Sequence, residues 1–207
     1  MKNLKNIPSY EMKIPPPRDN LLFESSIRRQ LEMFIGQPEP SAIAPCSGCN
    51  QHEPANCAPA CERAPGALSI DPEQYPIEPK IVGLVYEVNA CRVLQTCYSC
   101  EGHFRNDKLW KIPQVSFYSD APIYVKLVLI HLDRLYLKKV LSYCWHIVLI
   151  DMAQTLNLTY SIQPDLNNVE KHHLGKLQQD LKILSINFHS ELKNIASELL
   201  TKAKNAA

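Results

Sequence analysis

Residues 37–79 carry nine of the sixteen prolines and four of the eight cysteines in a chain of 207 residues. Proline fixes φ and withdraws a backbone donor, so neither helix nor ladder can propagate through such a stretch. The segment also lacks any helical or strand periodicity. An apolar core of this size is too small to hold a shape, which makes a bound ion the expected substitute. The thiols follow the pattern Cys46-x2-Cys49-x7-Cys57-x3-Cys61, with His52 inside the loop. A Cys-x2-Cys turn places two thiolates on one side of a tight bend, and Gly48 supplies the permissive position that such a bend tends to require. Cys57 and Cys61 would complete a tetrahedral all-sulfur shell, with His52 as a substitute ligand or an outer donor. Zinc is the expected ion, and an iron–sulfur cluster, also held by four thiolates, is the alternative.

Reading the cysteines as ligands presumes a reducing compartment. Residues 1–20 are polar and proline-rich with no apolar central run, unlike a secretory signal. The most apolar stretch, Ile123 to Leu141, is interrupted by Lys126, His131, Asp133, Arg134, Lys138 and Lys139, which a membrane span would not tolerate. The expectation is a soluble, cytoplasmic protein without membrane contact, whose thiols bind metal or react before they form disulfides. With 22 basic and 21 acidic residues the net charge is +1, so no overall field draws the chain to nucleic acid. A small molecule or another protein is the expected partner, and the oligomeric state is not set by the sequence.

The flanking regions carry clear periodicities. Residues 1–36 read as an extended tail followed by a helix that starts at Asn20 or Ser25. Its apolar face (Leu21, Leu22, Ile27, Leu31, Phe34) needs a partner, either the main domain or another chain. Residues 80–207 read as an α+β domain. A helix is expected over Lys80–Cys91, a strand over Arg92–Ser99, a loop over Cys100–Ile112 and a strand over Gln114–Ser119. Asp120 and Pro122 are placed to open the next helix, which runs to about Tyr143. Strands follow over Trp145–Asp151 and Leu158–Gln163. One long helix capped by Asn167 or Asn168 closes the chain, with Leu174, Leu177, Leu181, Leu184, Phe188, Leu192, Ile195 and Leu199 in a single stripe. The order αββαββα is a cyclic rotation of the βαββαβ order of the ferredoxin-like fold. It implies a four-stranded antiparallel sheet with helices on one face and the cysteine-rich metal module attached in front.

Reactive side chains concentrate in Thr96-Cys97-Tyr98-Ser99-Cys100-Glu101-Gly102-His103. Three uses compete. Ser99 and Gly102, with Tyr118 from the neighbouring strand, could line a small-ligand pocket in which Gly102 admits a close approach. Cys97, Cys100 and His103, with Cys91, Cys144 or His146, could hold a second metal ion. Cys100 could act as a nucleophile activated by His103, or Cys97 and Cys100 as a dithiol, with Glu101 and His103 as a proton-transfer pair. The competing structural reading is a strand cysteine beside a turn, and Trp110 and Phe117 read as sheet residues rather than a stacking platform.

This run, followed by Pro113-Gln114-Val115-Ser116-Phe117-Tyr118, resembles a strand, Ser-Cys-x-Gly-His, strand arrangement of uncharacterised bacterial proteins. It is more distantly similar to the tRNA wybutosine-synthesis methyltransferase family, whose signature reads Ser-Ser-Cys-Ser-Gly-Arg. Ser99, Cys100 and Gly102 match that signature, while Glu101 stands for serine and His103 for arginine. The second likeness implies a loop that contacts a small ligand, without the bidentate anion contact of arginine.

The sequence therefore points first to a zinc-binding protein with a ligand or catalytic site made of Ser99, Cys100, Glu101, Gly102, His103 and Tyr118. An interaction module that uses the metal segment and the last helix, an RNA-modifying enzyme, and an iron–sulfur protein are the rivals.

Overall fold

Strand alternation and a two-residue turn build the central feature, a long hairpin. In the computed structural model, which describes residues 20–38, 46–52, 56–58, 60–62, 64, 73–74, 76–106, 108–150, 158–165 and 173–205, this hairpin joins β1 (Leu94–Arg105) to β2 (Lys108–Ser119). Arg105 pairs with Lys108, and Asn106 takes a left-handed φ of 51°, a conformation that asparagine tolerates better than most residues. A second hairpin pairs β3 (Trp145–Ile150) with β4 (Thr159–Pro164), and β2 lies against β4. The sheet is antiparallel throughout, in the order β1-β2-β4-β3. The chain is thus an α+β protein with the αββαββ order, and its two hairpins meet through their second strands.

The loop expected over 100–112 is instead strand and turn. Its alternation is hidden because the buried positions of β1 there are Cys100 and Gly102, of which glycine has no side chain to mark a face, and because the hairpin tip beyond them projects past the part of β2 that pairs with β4. Lys108, Trp110 and Lys111 are all exposed there. Alternation in sequence records burial rather than pairing.

Five helices accompany the sheet: α1 (Asn20–Ile35), α2 (Val82–Ala90), α3 (Pro122–Leu137), α4 (Leu174–Ser185) and α5 (Phe188–Asn205). Of these, α2, α3 and α4 pack against the sheet and α1 and α5 pack on those helices, and together with Val115, Phe117, Ile162 and Trp145, all 0–1% exposed, they make one core. The apolar face of α1 finds its partner within the chain. Leu31 and Phe34 enter that core, Tyr124 Oη donates to Gln30 O, and Lys193 Nζ donates to Gln37 O. Pro122 opens α3 as expected, but Ala121 occupies the cap position and no side chain, Asp120 included, caps it. The last helix is broken: the chain turns at Ile186-Asn187, with φ 55° at Asn187, and restarts as α5. Leu177, Leu181, Leu184, Phe188, Leu192 and Ile195 remain buried on both sides of the break, so the stripe survives while the axis does not. His189, which reads as a solvent-facing residue in the sequence, is 1% exposed and meets Phe34 edge-on. The N-terminal tail and the caps expected at Asn167 and Asn168 lie outside the described residues.

A buried carboxylate joins helix to sheet. Asp180 of α4, fully buried, accepts hydrogen bonds from Ser142 N, Tyr143 N and Trp145 Nε1 at 2.9–3.0 Å. It satisfies three donors of the α3–β3 connection that would otherwise be orphaned.

Candidate metal centre and the sheet-edge site

The cysteine-rich segment does gather its thiols. The Sγ atoms of Cys46, Cys49 and Cys61 lie within 4.8 Å of one another, and Cys57 is hydrogen-bonded to Cys46 and Cys49. Among the described residues, their buried companion in this second, small cluster is Ala64. The turn is closed by Asn50 N donating to Cys46 O and Cys46 N to Gln51 O, with φ 57° at Asn50. Gly48 has a packing role as well as a conformational one, since a Cβ there would stand 3.3 Å from Cys61 Sγ. His52 is exposed and is not part of the converging group.

Electrostatics divides the four thiols into two classes. The backbone N–H of Gly48, then that of Cys49, pulls Cys46 below the ordinary thiol value. Hydrogen bonds from the Ala58 and Gln51 backbones bring Cys49 down to about 6. Burial first, then contact with Cys49 and Cys46, pushes Cys57 up to about 12. Contact with Cys49, then burial, pushes Cys61 up to about 11. Backbone donors thus favour the thiolate form of two cysteines, while burial and contact with those two favour the protonated form of the others. A dication resolves that conflict, because metal binding displaces the remaining protons.

On the sheet, the structure redistributes the residues singled out in 96–103. His103 Nε2 meets Glu78 Oε1 at 2.5 Å, and the other carboxylate oxygen of Glu78 accepts Glu101 N at 2.6 Å. The Glu101 carboxylate accepts Lys80 N at 2.9 Å, while Gln178 Nε2 donates to Glu101 O and Lys80 Nζ donates to Gln178 Oε1. The side chains of Glu78 and of Gln178 on α4 therefore take up the backbone N–H and C=O of Glu101 in β1, which is an edge strand whose groups would otherwise be open to pairing with another chain. Cys100, 2% exposed, pairs across the sheet with Gln114 and hydrogen-bonds with Tyr98. Burial pushes its thiol up, and the Glu78 carboxylate acts in the same direction against the Gly102 N–H and Lys111. Such a setting disfavours a free thiolate nucleophile.

Glu78, Cys100 and His103 form a second group whose ligand atoms lie within 4.8 Å of one another. Glu101 faces Lys80, and Ser99, opposite Val115 on β2, is half-buried. Tyr118 hydrogen-bonds with Cys97, and neither belongs to the converging group. Cys91 is buried against Glu87 O, and Cys144 and His146 are likewise outside the group. Glu78 is the residue that sequence reasoning missed. It lies between Pro76 and Pro79, where no periodicity marks it, and 22 residues before Cys100. An open cleft of about 550 Å³ lies elsewhere, lined in part by Gln30, Met33, Arg92, Asp120 and Tyr124.

No protein-family model matches the chain, no curated protein matches it, and no solved structure matches its fold. Among the described residues no helix is long and apolar enough to cross a membrane.

Proposed function

We propose that the chain is a zinc-binding protein in which Cys46, Cys49, Cys57 and Cys61 hold a structural ion, while the Ser99–His103 edge of the sheet is its working site for a small ligand. The convergence of the thiols carries the first half of this reading. Four sulfurs around one zinc at 2.3 Å stand about 3.8 Å apart. A four-iron cluster gives each thiolate its own iron and spreads the sulfurs further. The sulfurs of Cys46, Cys49 and Cys61 lie within 4.8 Å of one another, with Cys57 hydrogen-bonded to two of them, which supports a single ion over such a cluster. The closed all-sulfur shell supports a structural rather than a catalytic role, since a catalytic zinc keeps a position open.

The second half rests on Cys100, His103 and Gly102 meeting at a polar sheet face beside Tyr98 and Gln114, with Glu101 fixing the backbone behind them. Elemental analysis of the purified protein tests the first half. Zinc with four sulfur neighbours near 2.3 Å by X-ray absorption is expected, and a strong visible charge-transfer band with stoichiometric iron would overturn it. The cytoplasm is the compartment that suits free thiols and a thiolate-bound zinc.

A further inference from the structure

An alternating strand cannot bring Cys100 and His103 together, because residues three apart point to opposite faces. This strand does so through a local defect. Gly102, which lies between them, has φ +87°, while the pairings Cys100–Gln114, Glu101–Pro113 and His103–Lys111 keep one register with β2. A Cβ on Gly102 would stand 2.8 Å from Leu174 Cδ1 and from the Pro113 ring, so the site admits glycine alone without displacement. Irregularities of this kind re-aim side chains beside functional sites.

The side chains so re-aimed meet a carboxylate that is itself anchored, because Glu78 is held by Glu101 N. One soft sulfur, one imidazole and one carboxylate therefore converge within 4.8 Å. Cys100 forms the buried floor at 2% exposed, while the Glu78 and His103 side chains remain 25% and 37% exposed, so one side is open to solvent. Mixed Cys, His and carboxylate shells suit zinc, and three protein ligands leave a fourth position for water or a ligand atom. Tyr98, 43% exposed and hydrogen-bonded with both Cys100 and Gln114, stands on the same face as a wall beside that position.

We propose that Glu78, Cys100 and His103 form a second metal site, of the zinc class, with an open coordination position at the edge of the sheet. It deepens the reading of the Ser99–His103 edge as the working site and stands independently of the four-cysteine centre.

The test is a zinc titration of the full chain against a chromophoric chelator, repeated with Co²⁺ as an optical probe. Two equivalents are expected in the native chain. His103→Gln, Glu78→Gln and Cys100→Ser should each lose one equivalent and keep the absorption of the four-sulfur site. The double variant Cys49→Ser/Cys61→Ser should keep one equivalent, with the weaker charge-transfer absorption of a single thiolate. His103 is part-exposed, so its variant retains the fold, and a thermal melt verifies that. The proposal is overturned if His103→Gln and Cys100→Ser still bind two equivalents. It is equally overturned if the native chain binds one equivalent that Cys49→Ser/Cys61→Ser removes, or if the second equivalent binds only at millimolar metal. A single equivalent that survives Cys49→Ser/Cys61→Ser and is lost in Cys100→Ser would support the sheet-edge site and sink the four-cysteine reading instead.

Discussion

The cysteine-rich module and the α+β domain are held together by different forces. In the domain, more than two dozen buried apolar residues from all five helices and all four strands make one continuous core. Among the described residues of the module, the buried ones are Cys46, Cys57 and Ala64, with Cys49 and Cys61 packed beside them. Burial of apolar area scales with the number of side chains that can be brought together, whereas a metal–thiolate shell concentrates its stabilisation at one point. The first tolerates losses one side chain at a time, and the second is present or absent as a unit.

Removing the ion should have the largest effect. Structural zinc contributes about 10–16 kcal/mol in small zinc domains. Cys49→Ser/Cys61→Ser should therefore abolish amide-exchange protection over 46–64 while the melting of the domain stays within about 1 kcal/mol. Simultaneous loss of the domain's transition would show that the two regions are one cooperative unit.

Within the domain, the buried Asp180 is the nearest analogue of a point-like linchpin. Asp180→Ala leaves Ser142 N, Tyr143 N and Trp145 Nε1 without their acceptor and should cost about 3–5 kcal/mol in urea denaturation. A loss below 1 kcal/mol would mean that water replaces the carboxylate without penalty.

His131 gives the core a pH dependence. Burial, ahead of the nearby Arg134 and Lys138, brings the imidazole down to about 4 from its ordinary 6.5. A depressed histidine is neutral when folded and takes up a proton on unfolding, so its contribution is complete above pH 6.5 and is lost as pH falls through 4. The shift corresponds to roughly 3 kcal/mol, and His131→Leu should flatten the decline of stability between those limits. An unchanged slope would place the proton uptake on another group.

Gly102→Ala should destabilise by about 2 kcal/mol, from strain at positive φ together with the contacts to Leu174 and Pro113. The same variant should weaken metal uptake at the sheet edge without touching the module, and a neutral outcome would mean that the strand defect is free to relax. The smallest effect belongs to the part-exposed Arg134–Glu198 pair between α3 and α5. Arg134→Met should cost less than about 1 kcal/mol, and less again in high salt. A larger loss would reveal a surface contribution that the apolar core does not supply.

The same contrast explains what was legible beforehand. Gln114–Ser119 was visible because Val115 and Phe117 alternate with polar residues, whereas in 100–112 the buried positions are Cys100 and the side-chain-less Gly102 and the other described residues are exposed or half-buried, so no alternation marks the strand. The break at Ile186-Asn187 was hidden because Leu184 and Phe188 keep the spacing of an unbroken stripe. At the module, four thiols at fixed spacing announced a ligand set without periodicity. At the sheet edge, Cys100 and His103 were visible as chemistry, but their orienting carboxylate was not.

The sequence by itself determined the order of helices and strands, the apolar stripes and the four-sulfur pattern. These follow from local periodicity and from short spacings along the chain, which a reader can count. Tertiary structure alone decided that α1 docks on its own domain and that Asp180 fastens the α3–β3 connection. It also decided that Glu78, rather than Glu101 or Cys97, faces His103. Each of those pairings spans residues distant in the chain, and the folding of the intervening segments, rather than any local preference, brings them into contact.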